Sequence, residues 1–187
     1  GDLANVDHPA TSLAYFRVNW RFVEPEKGRY AWDLIDRALE TAASRGQTLL
    51  LRISPYEADD LDVPDWYRRL VGEERELRSK KWRTDPEDPR YALHFGGLIR
   101  RLGARYDGHP DLESVDVSLV GYWGEGAGGH LLTDRTRKAL LDAYLEGFRR
   151  TRLLLQPMNG DAPDPAFLVE GLPIAAVWPD GRTKRFE

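Results

Sequence analysis

LAYFRVNWRFVEPEKGRYAWDLIDRALETAASRGQTLLLRIS, Leu13 to Ser54, changes its hydrophobic pattern from one stretch to the next. Leu13 to Trp20 is dense in aromatic and β-branched residues, which favours a strand. Asp33 to Arg45 places Leu34, Ile35, Ala38, Leu39 and Ala42 on one helical face, with Asp33 as N-cap and Gly46 just past the end. Gln47 to Ser54 is a nearly continuous apolar run stopped by Pro55, as expected of a strand covered on both faces. Strand, helix, strand is the repeating unit of a parallel sheet with right-handed crossovers.

The same rhythm returns downstream. Asp88-Pro89 supplies an N-cap followed by proline at the first helical position, and Tyr91, Phe95, Leu98, Ile99, Leu102 and Tyr106 keep helical spacing. A strand follows, in which Val115, Val117 and Leu119 alternate with Asp116 and Ser118. Thr133 then caps a helix that turns Leu140, Ala143, Tyr144, Gly147 and Phe148 toward a core, and Arg152 to Met158 reads as a further strand. Between these, Tyr56 to Glu87 is a long charged loop in which Trp66 and Tyr67 form a short helix after Pro64. After Asn159 the chain is proline-rich, and IAAVWPDGRTKRFE reads as a hairpin around Pro179-Asp180-Gly181. The fold class expected is α/β: a partial or shortened (β/α)8-like barrel in residues 1–160, with about five parallel strands, and a tail with a hairpin in 161–187.

Composition narrows the function classes. The chain has 187 residues, 41% hydrophobic, enough for one sizeable domain. Asp and Glu total 31 against 27 Lys and Arg, a net charge of -4, so no nucleic-acid partner is expected. No apolar run reaches the roughly 20 residues that span a bilayer, and the N-terminus GDLANVDHPA has no signal-peptide pattern, so no membrane association is expected. The chain starts at Gly, which leaves export open. The absence of Cys excludes disulfides, thiolate metal sites and a Cys nucleophile. His8, His94, His109 and His130 have no ligand spacing, so neither metal nor cofactor is expected.

The most unusual stretch is VDVSLVGYWGEGAGGH, Val115 to His130, in which an apolar strand runs into two aromatics and a carboxylate flanked by glycines. In parallel α/β sheets, ligand sites form outside the carboxyl ends of the strands. Glu125 lies there, as do Arg17 and Asn19, Arg52 and Ser54, and Asn159. Tyr15, Arg17 and Asn19 share one strand parity and would line a barrel interior or cleft mouth. With Trp20, Trp66, Trp82, Tyr122 and Trp123 within reach, such a rim offers what a sugar requires: aromatic faces for C–H groups and polar partners for hydroxyls. Rival readings exist. Gly124, Gly126 and Gly129 spell GxGxxG, but the helical pattern begins only near Thr133, too late for a dinucleotide loop. A purely structural reading pairs Glu125 with an arginine such as Arg52 and assigns most of the aromatics to the core.

Three motifs together resemble the glycoside hydrolases of the β-galactosidase and cellulase clan, especially bacterial barrel proteins with a Trp-Gly-Glu strand ending. They are YFRVNWRFVEPEKGRYAWDLIDRAL, with Arg17, Trp20, Glu24, Pro25, Gly28, Tyr30, Trp32 and Asp36 at the signature positions; VPDWYRRL; and LIRRLGARYDGHPDLESVDVSLVGYWGEG. The resemblance implies a (β/α)8 barrel and retaining hydrolysis of a carbohydrate, with two carboxyl groups about 5 Å apart. It makes Glu125 the general acid/base on the fourth strand, counting a short one in Leu3 to Asp7. Its pKa would be raised by burial among Tyr122 and Trp123 and by a neighbouring anionic nucleophile. Substrate contacts would come from Arg17, Asn19, Trp20, Arg52, Trp66, Tyr122, Trp123, His130 and Asn159. Where the clan has Asn before the acid/base, this chain has Gly124, and the nucleophile belongs on a seventh strand that the α/β pattern does not reach. Glu57 and Glu170 are poor substitutes for it. The resemblance slightly favours an extracellular or periplasmic location. A shortened barrel leaves an open edge and an apolar inner face, which predicts pairing with a missing segment or with a second copy as a homodimer. The alternative from another class is a non-catalytic carbohydrate-binding or half-barrel assembly module derived from such an enzyme; a small-molecule α/β domain unrelated to sugars is a third.

Overall fold

A computed structural model describes residues 11–56, 63–71, 85–121 and 132–155, together with the backbone of 174–177 and 183–186. Along the chain these form β1 (Leu13–Asn19), α1 (Trp20–Val23), α2 (Asp33–Ser44), β2 (Thr48–Ser54), α3 (Asp65–Val71), α4 (Pro89–Tyr106), β3 (Leu112–Val117), α5 (Asp134–Gly147), β4 (Arg152–Leu155), β5 (Ile174–Val177) and β6 (Thr183–Phe186). The strands make one sheet in chain order, β1 to β6. Neighbours from β1 to β5 run parallel, and β6 turns back antiparallel on β5 with Val177 opposite Thr183. The α/β fold with parallel strands and the C-terminal hairpin are therefore present, and β5 also continues the parallel sheet beyond β4. The expected strand in Leu3 to Asp7 lies outside the described residues, so β3, which leads toward Glu125, is the third described strand.

Local chemistry explains the element ends. Asp88 caps α4 by accepting the Arg90 N–H at 2.9 Å, with Pro89 in the first turn, where its missing N–H costs nothing. Thr133 caps α5 in the same way through the Thr136 N–H. Gly46, at φ +68°, ends α2 in a conformation that penalises a Cβ. Asp33 differs from expectation. Trp32 already has helical dihedrals (φ -59°, ψ -26°), so Asp33 sits inside the first turn and its carboxylate pairs with Arg37 at 2.7 Å. Trp20 likewise leaves the strand and opens α1.

The core lies between the sheet and the helices. Leu49, Leu51 and Ile53 of β2, Val115 and Val117 of β3 and Leu153 of β4 are buried against Ile35 and Leu39 of α2, Leu98, Ile99 and Leu102 of α4, and Leu140 and Ala143 of α5. Each of the Leu, Ile and Val side chains contributes about 1.5–3 kcal/mol relative to exposure.

Helices α4 and α5 cross where Gly103 meets Gly147. A Cβ on Gly103 would lie 2.1 Å from the Gly147 carbonyl oxygen and 2.5 Å from its Cα, both backbone atoms that cannot rotate away. Gly103→Ala is therefore expected to destabilise by about 1–3 kcal/mol or more from overpacking, outweighing the roughly 1 kcal/mol that alanine gains in helix propensity. Urea unfolding measures this, and a midpoint equal to or above wild type would refute the close crossing.

Candidate functional site

One face of the sheet packs on the helices; the other carries the candidate site. The parallel register aligns Arg17 with Arg52, Arg52 with Asp116, and Asp116 with Leu154. One layer closer to the carboxyl ends, Asn19 aligns with Ser54; one layer further back, Tyr15 aligns with Leu50 and Leu50 with Ser114. Side chains two residues apart share a face, so these rows form the stacked layers of a barrel interior. The expected parity of Tyr15, Arg17 and Asn19 is thus present. Tyr15 is 51% exposed and Arg17 is exposed, whereas Asn19, Ser54 and Ser118 are buried. The described part of this face is mixed: Leu13 and Tyr15 are exposed and Leu50 and Leu154 half-buried, while its centre holds the Arg52–Asp116 ion pair.

In that pair Arg52 Nε donates to Asp116 Oδ2 at 2.9 Å, Nη2 donates to the same oxygen, and both side chains are buried. The guanidinium also lies 5.8 Å from the centroid of the Tyr15 ring, in reach of a cation–π contact. On the structural view the sequence offers Glu125 as an arginine partner; Glu125 lies outside the described residues, and among those described Arg52 pairs with Asp116, whose alternation with Val115 and Val117 was the available signal.

Beyond this pair the β3 ladder ends at Val117, and the chain leaves the sheet under different control. The Tyr144 hydroxyl accepts from Ser118 N–H at 3.1 Å and donates to Ser118 O at 3.0 Å. The Tyr91 hydroxyl donates to Leu119 O at 2.7 Å, and Gly121 N–H donates to the Tyr56 hydroxyl at 2.8 Å. Gly121 then takes φ +93°, a conformation that strains any residue with a Cβ. Strict alternation from Val115 puts residue 125 on the helix side unless the chain bends at Gly121 or Gly124, and of these two Gly121 is the described one. Glu125 itself, with Tyr122, Trp123, Gly124, His130 and Asn159, lies outside the described residues, as do Glu57, Trp82 and Glu170.

The two tryptophans of the expected substrate set that are described belong to the helix layer. Trp20 is 0% exposed; its ring meets Trp66, Tyr67, Tyr91 and Phe95, and its Nε1 donates to Glu24 Oε2 at 2.9 Å. No face remains for a ligand. It shares parity with Phe16 and Val18, which point the same way. Trp66 is half-buried, donates Nε1 to the Glu24 carbonyl at 2.9 Å and meets His94 edge-on at 5.2 Å.

The signature segment from Trp20 to Asp36 is a collar around the α1–α2 connection, whereas Arg17 lies on the inner face. Glu24 Oε1 accepts the Gly28 N–H at 2.8 Å, and Gly28 has φ +76°. Tyr30 stacks on Trp32 with centroids 4.8 Å apart. The Tyr106 hydroxyl of α4 bonds the Trp32 carbonyl and Asp36. Burial raises the Glu24 carboxyl above its ordinary 4.5, only partly offset by the bonds from Trp20 and Gly28. An acid raised on folding binds more protons folded than unfolded, so its contribution is most favourable below the unfolded value and is lost as pH rises through the interval above 4.5. Glu24→Gln is expected to remove that decline from a plot of urea midpoint against pH. The same slope in both proteins would show that Glu24 titrates normally.

Among the described residues no three His, Asp or Glu side chains gather to hold a metal ion, and no helix is long and apolar enough to cross a membrane. No family model matches the sequence, and no curated protein matches it. Solved structures do. Endo-glycoceramidase II from Rhodococcus sp., in its lactosyl-enzyme intermediate, superposes with a TM-score of 0.58 at 17% identity over 90% of this chain and 48% of that one. A β-galactosidase from the psychrophilic Marinomonas ef1 gives 0.54 at 15% identity, over 88% of this chain and 36% of its own. An exo-β-1,4-mannosidase from Opitutaceae bacterium strain TAV5 gives 0.52 at 15% identity, over 77% and 25%. The chain spans about half the length of the first of these. The sheet, its inner layers and the helices outside it thus have the fold of part of a TIM-barrel glycoside hydrolase.

Proposed function

We propose that the chain carries the acid/base half of a retaining glycoside hydrolase site, with Glu125 as the acid/base and a carbohydrate as substrate. The observation that carries this reading is the exit of β3: its sheet bonding ends at Val117 and the backbone turns at Gly121, four residues before Glu125, at the end of the sheet where barrel enzymes place their chemistry. The fold likeness supports it, and the lactosyl-enzyme intermediate of the Rhodococcus protein is the species that a retaining reaction forms.

In the first step Glu125 gives its proton to the glycosidic oxygen as that C–O bond breaks, and a second carboxylate takes the anomeric carbon to form a glycosyl ester. In the second step ionised Glu125 takes a proton from water, whose oxygen attacks the same carbon and releases the carboxylate. Arg17 and Asn19 on the inner face, with Tyr122, Trp123, His130 and Asn159, would hold the sugar, and Arg52 would support them through Asp116. Gly124 cannot supply the side-chain amide that the resembled clan places there. The described ends of the parallel strands carry Asn19, Ser54, Val117, Leu155 and Val177, and the Asp116 carboxylate is engaged by Arg52, so the attacking carboxylate would come from outside the described residues, in this chain or in a second copy covering the inner face.

The test is release of the aryl alcohol from a panel of aryl glycosides, β-galactoside and β-glucoside included, by the purified chain. Turnover above the buffer rate is expected for at least one. No release from any of them, with retained binding of the parent sugar, would replace this reading with the carbohydrate-binding module.

A further inference from the structure

The tyrosines at the β3 exit have no part in the chemistry above, yet all three are buried side chains with hydroxyls committed to one short stretch of backbone. We propose that Tyr56, Tyr91 and Tyr144 are positioning residues for Glu125: their hydroxyls replace the sheet as partners of Ser118, Leu119 and Gly121 and so set the direction in which the chain leaves β3 toward it. The Glu125 role on which this rests is the one proposed above.

The argument begins with an obligation. Ser118, Val120 and Gly121 are buried, and buried backbone N–H and C=O groups need partners. Had β2 and β4 supplied them, β3 would have continued straight, and alternation from Val115 would have carried residue 125 to the helix side. Side-chain hydroxyls satisfy the same groups without extending the sheet, which frees the chain to turn at Gly121. The phenols reach this stretch from three different elements. Tyr56 follows β2, Tyr91 lies in the first turn of α4, and Tyr144 lies in α5. The exit is thereby held from both flanks of β3 rather than from one neighbour, and by rings with few rotatable bonds.

The chemistry of the hydroxyl matters too. Tyr144 both accepts from and donates to Ser118, and Tyr91 donates to Leu119, so each must keep its proton. Burial holds both phenols above the ordinary 10, which keeps them protonated throughout the working range. Phenylalanine at these positions would preserve the ring and leave the backbone groups without their partners.

The experiment uses ¹³C-carboxyl-labelled glutamate in the full chain, with the Glu125 resonance identified by its absence from Glu125→Gln. Its titration is followed in wild type, in Tyr56→Phe, Tyr91→Phe and Tyr144→Phe singly, and in the triple variant if it folds. Tyr106→Phe serves as control, because its hydroxyl bonds Trp32 and Asp36 in the collar and its loss is destabilising without touching the exit. The expected result is a Glu125 midpoint displaced in the exit variants and unchanged in the control. Alongside it, kcat on an aryl glycoside falls by up to about 10²-fold with KM little altered, as for a misplacement of about 1 Å. A midpoint that stays at the wild-type value in all three single variants overturns the proposal, whether or not the chain hydrolyses glycosides. A midpoint that moves in a chain with no turnover sustains the positioning role and overturns the glycosidase reading instead.

Discussion

Glu125→Gln is expected to lower kcat/KM on an unactivated aryl glycoside by about 10²- to 10⁴-fold, the usual worth of a positioned general acid. The amide keeps the size of the side chain and removes the proton that the leaving oxygen needs. The loss depends on that oxygen. A phenolate carrying nitro groups leaves without protonation, so the first step should be nearly untouched, while a phenol of higher pKa should show the full decrease. The alkaline limb of the pH profile should vanish with the carboxyl group. A uniform loss across leaving groups would mean that Glu125 binds the sugar or supports the fold rather than donating a proton, and no loss at all would remove it from the site.

Removing one member of the buried ion pair should have the largest effect on stability. Arg52→Met leaves Asp116 buried without the Arg52 guanidinium, and breaking such a pair from one side costs about 3–5 kcal/mol. The double variant Arg52→Met/Asp116→Leu should recover much of this, since an apolar pair of similar volume carries no desolvation penalty. Urea unfolding of the two single variants and the double variant gives the coupling directly. A single variant within about 1 kcal/mol of wild type would show that Asp116 is stabilised mainly by groups other than Arg52.

What the sequence disclosed and what it concealed divide along physical lines. Helix caps are local, so Asp88-Pro89, Thr133 and Gly46 could be assigned from a few adjacent residues. The strands were legible because runs such as Leu49 to Ile53 are nearly all apolar, with Arg52 the one exception. Parity was enough to place Tyr15, Arg17 and Asn19 on the inner face. The same rule applied one residue further would have sent Trp20 to the helix layer, where it lies; the aromatic ring alone does not distinguish a sugar platform from a core. Partners that depend on register were hidden. Arg52 and Asp116 are 64 positions apart, and the ladder between their strands shifts at Leu49/Leu50, so no spacing in the chain announces the pair. The tyrosine hydroxyls were hidden for a similar reason. Helical spacing identified Tyr91 and Tyr144 as core residues, but a buried phenol also needs a hydrogen-bond partner, and nothing local names Leu119 or Ser118 as that partner. The signature around Glu24 was the easiest motif to see, and it turned out to be collar rather than cleft.

The strand order of the sheet has a consequence for how the chain reaches this structure. Because β1 to β6 pair in the order in which they occur, every pairing joins consecutive strands, and the longest intervening chain is that from Ser54 to Leu112. A closed barrel must also join its first strand to its last, the pairing with the largest entropy of loop closure. The described sheet contains no such step among its residues. It can assemble as a run of successive additions, each on an edge already formed, with the β5–β6 hairpin, the pairing with the shortest connection, as the fastest of the strand pairings.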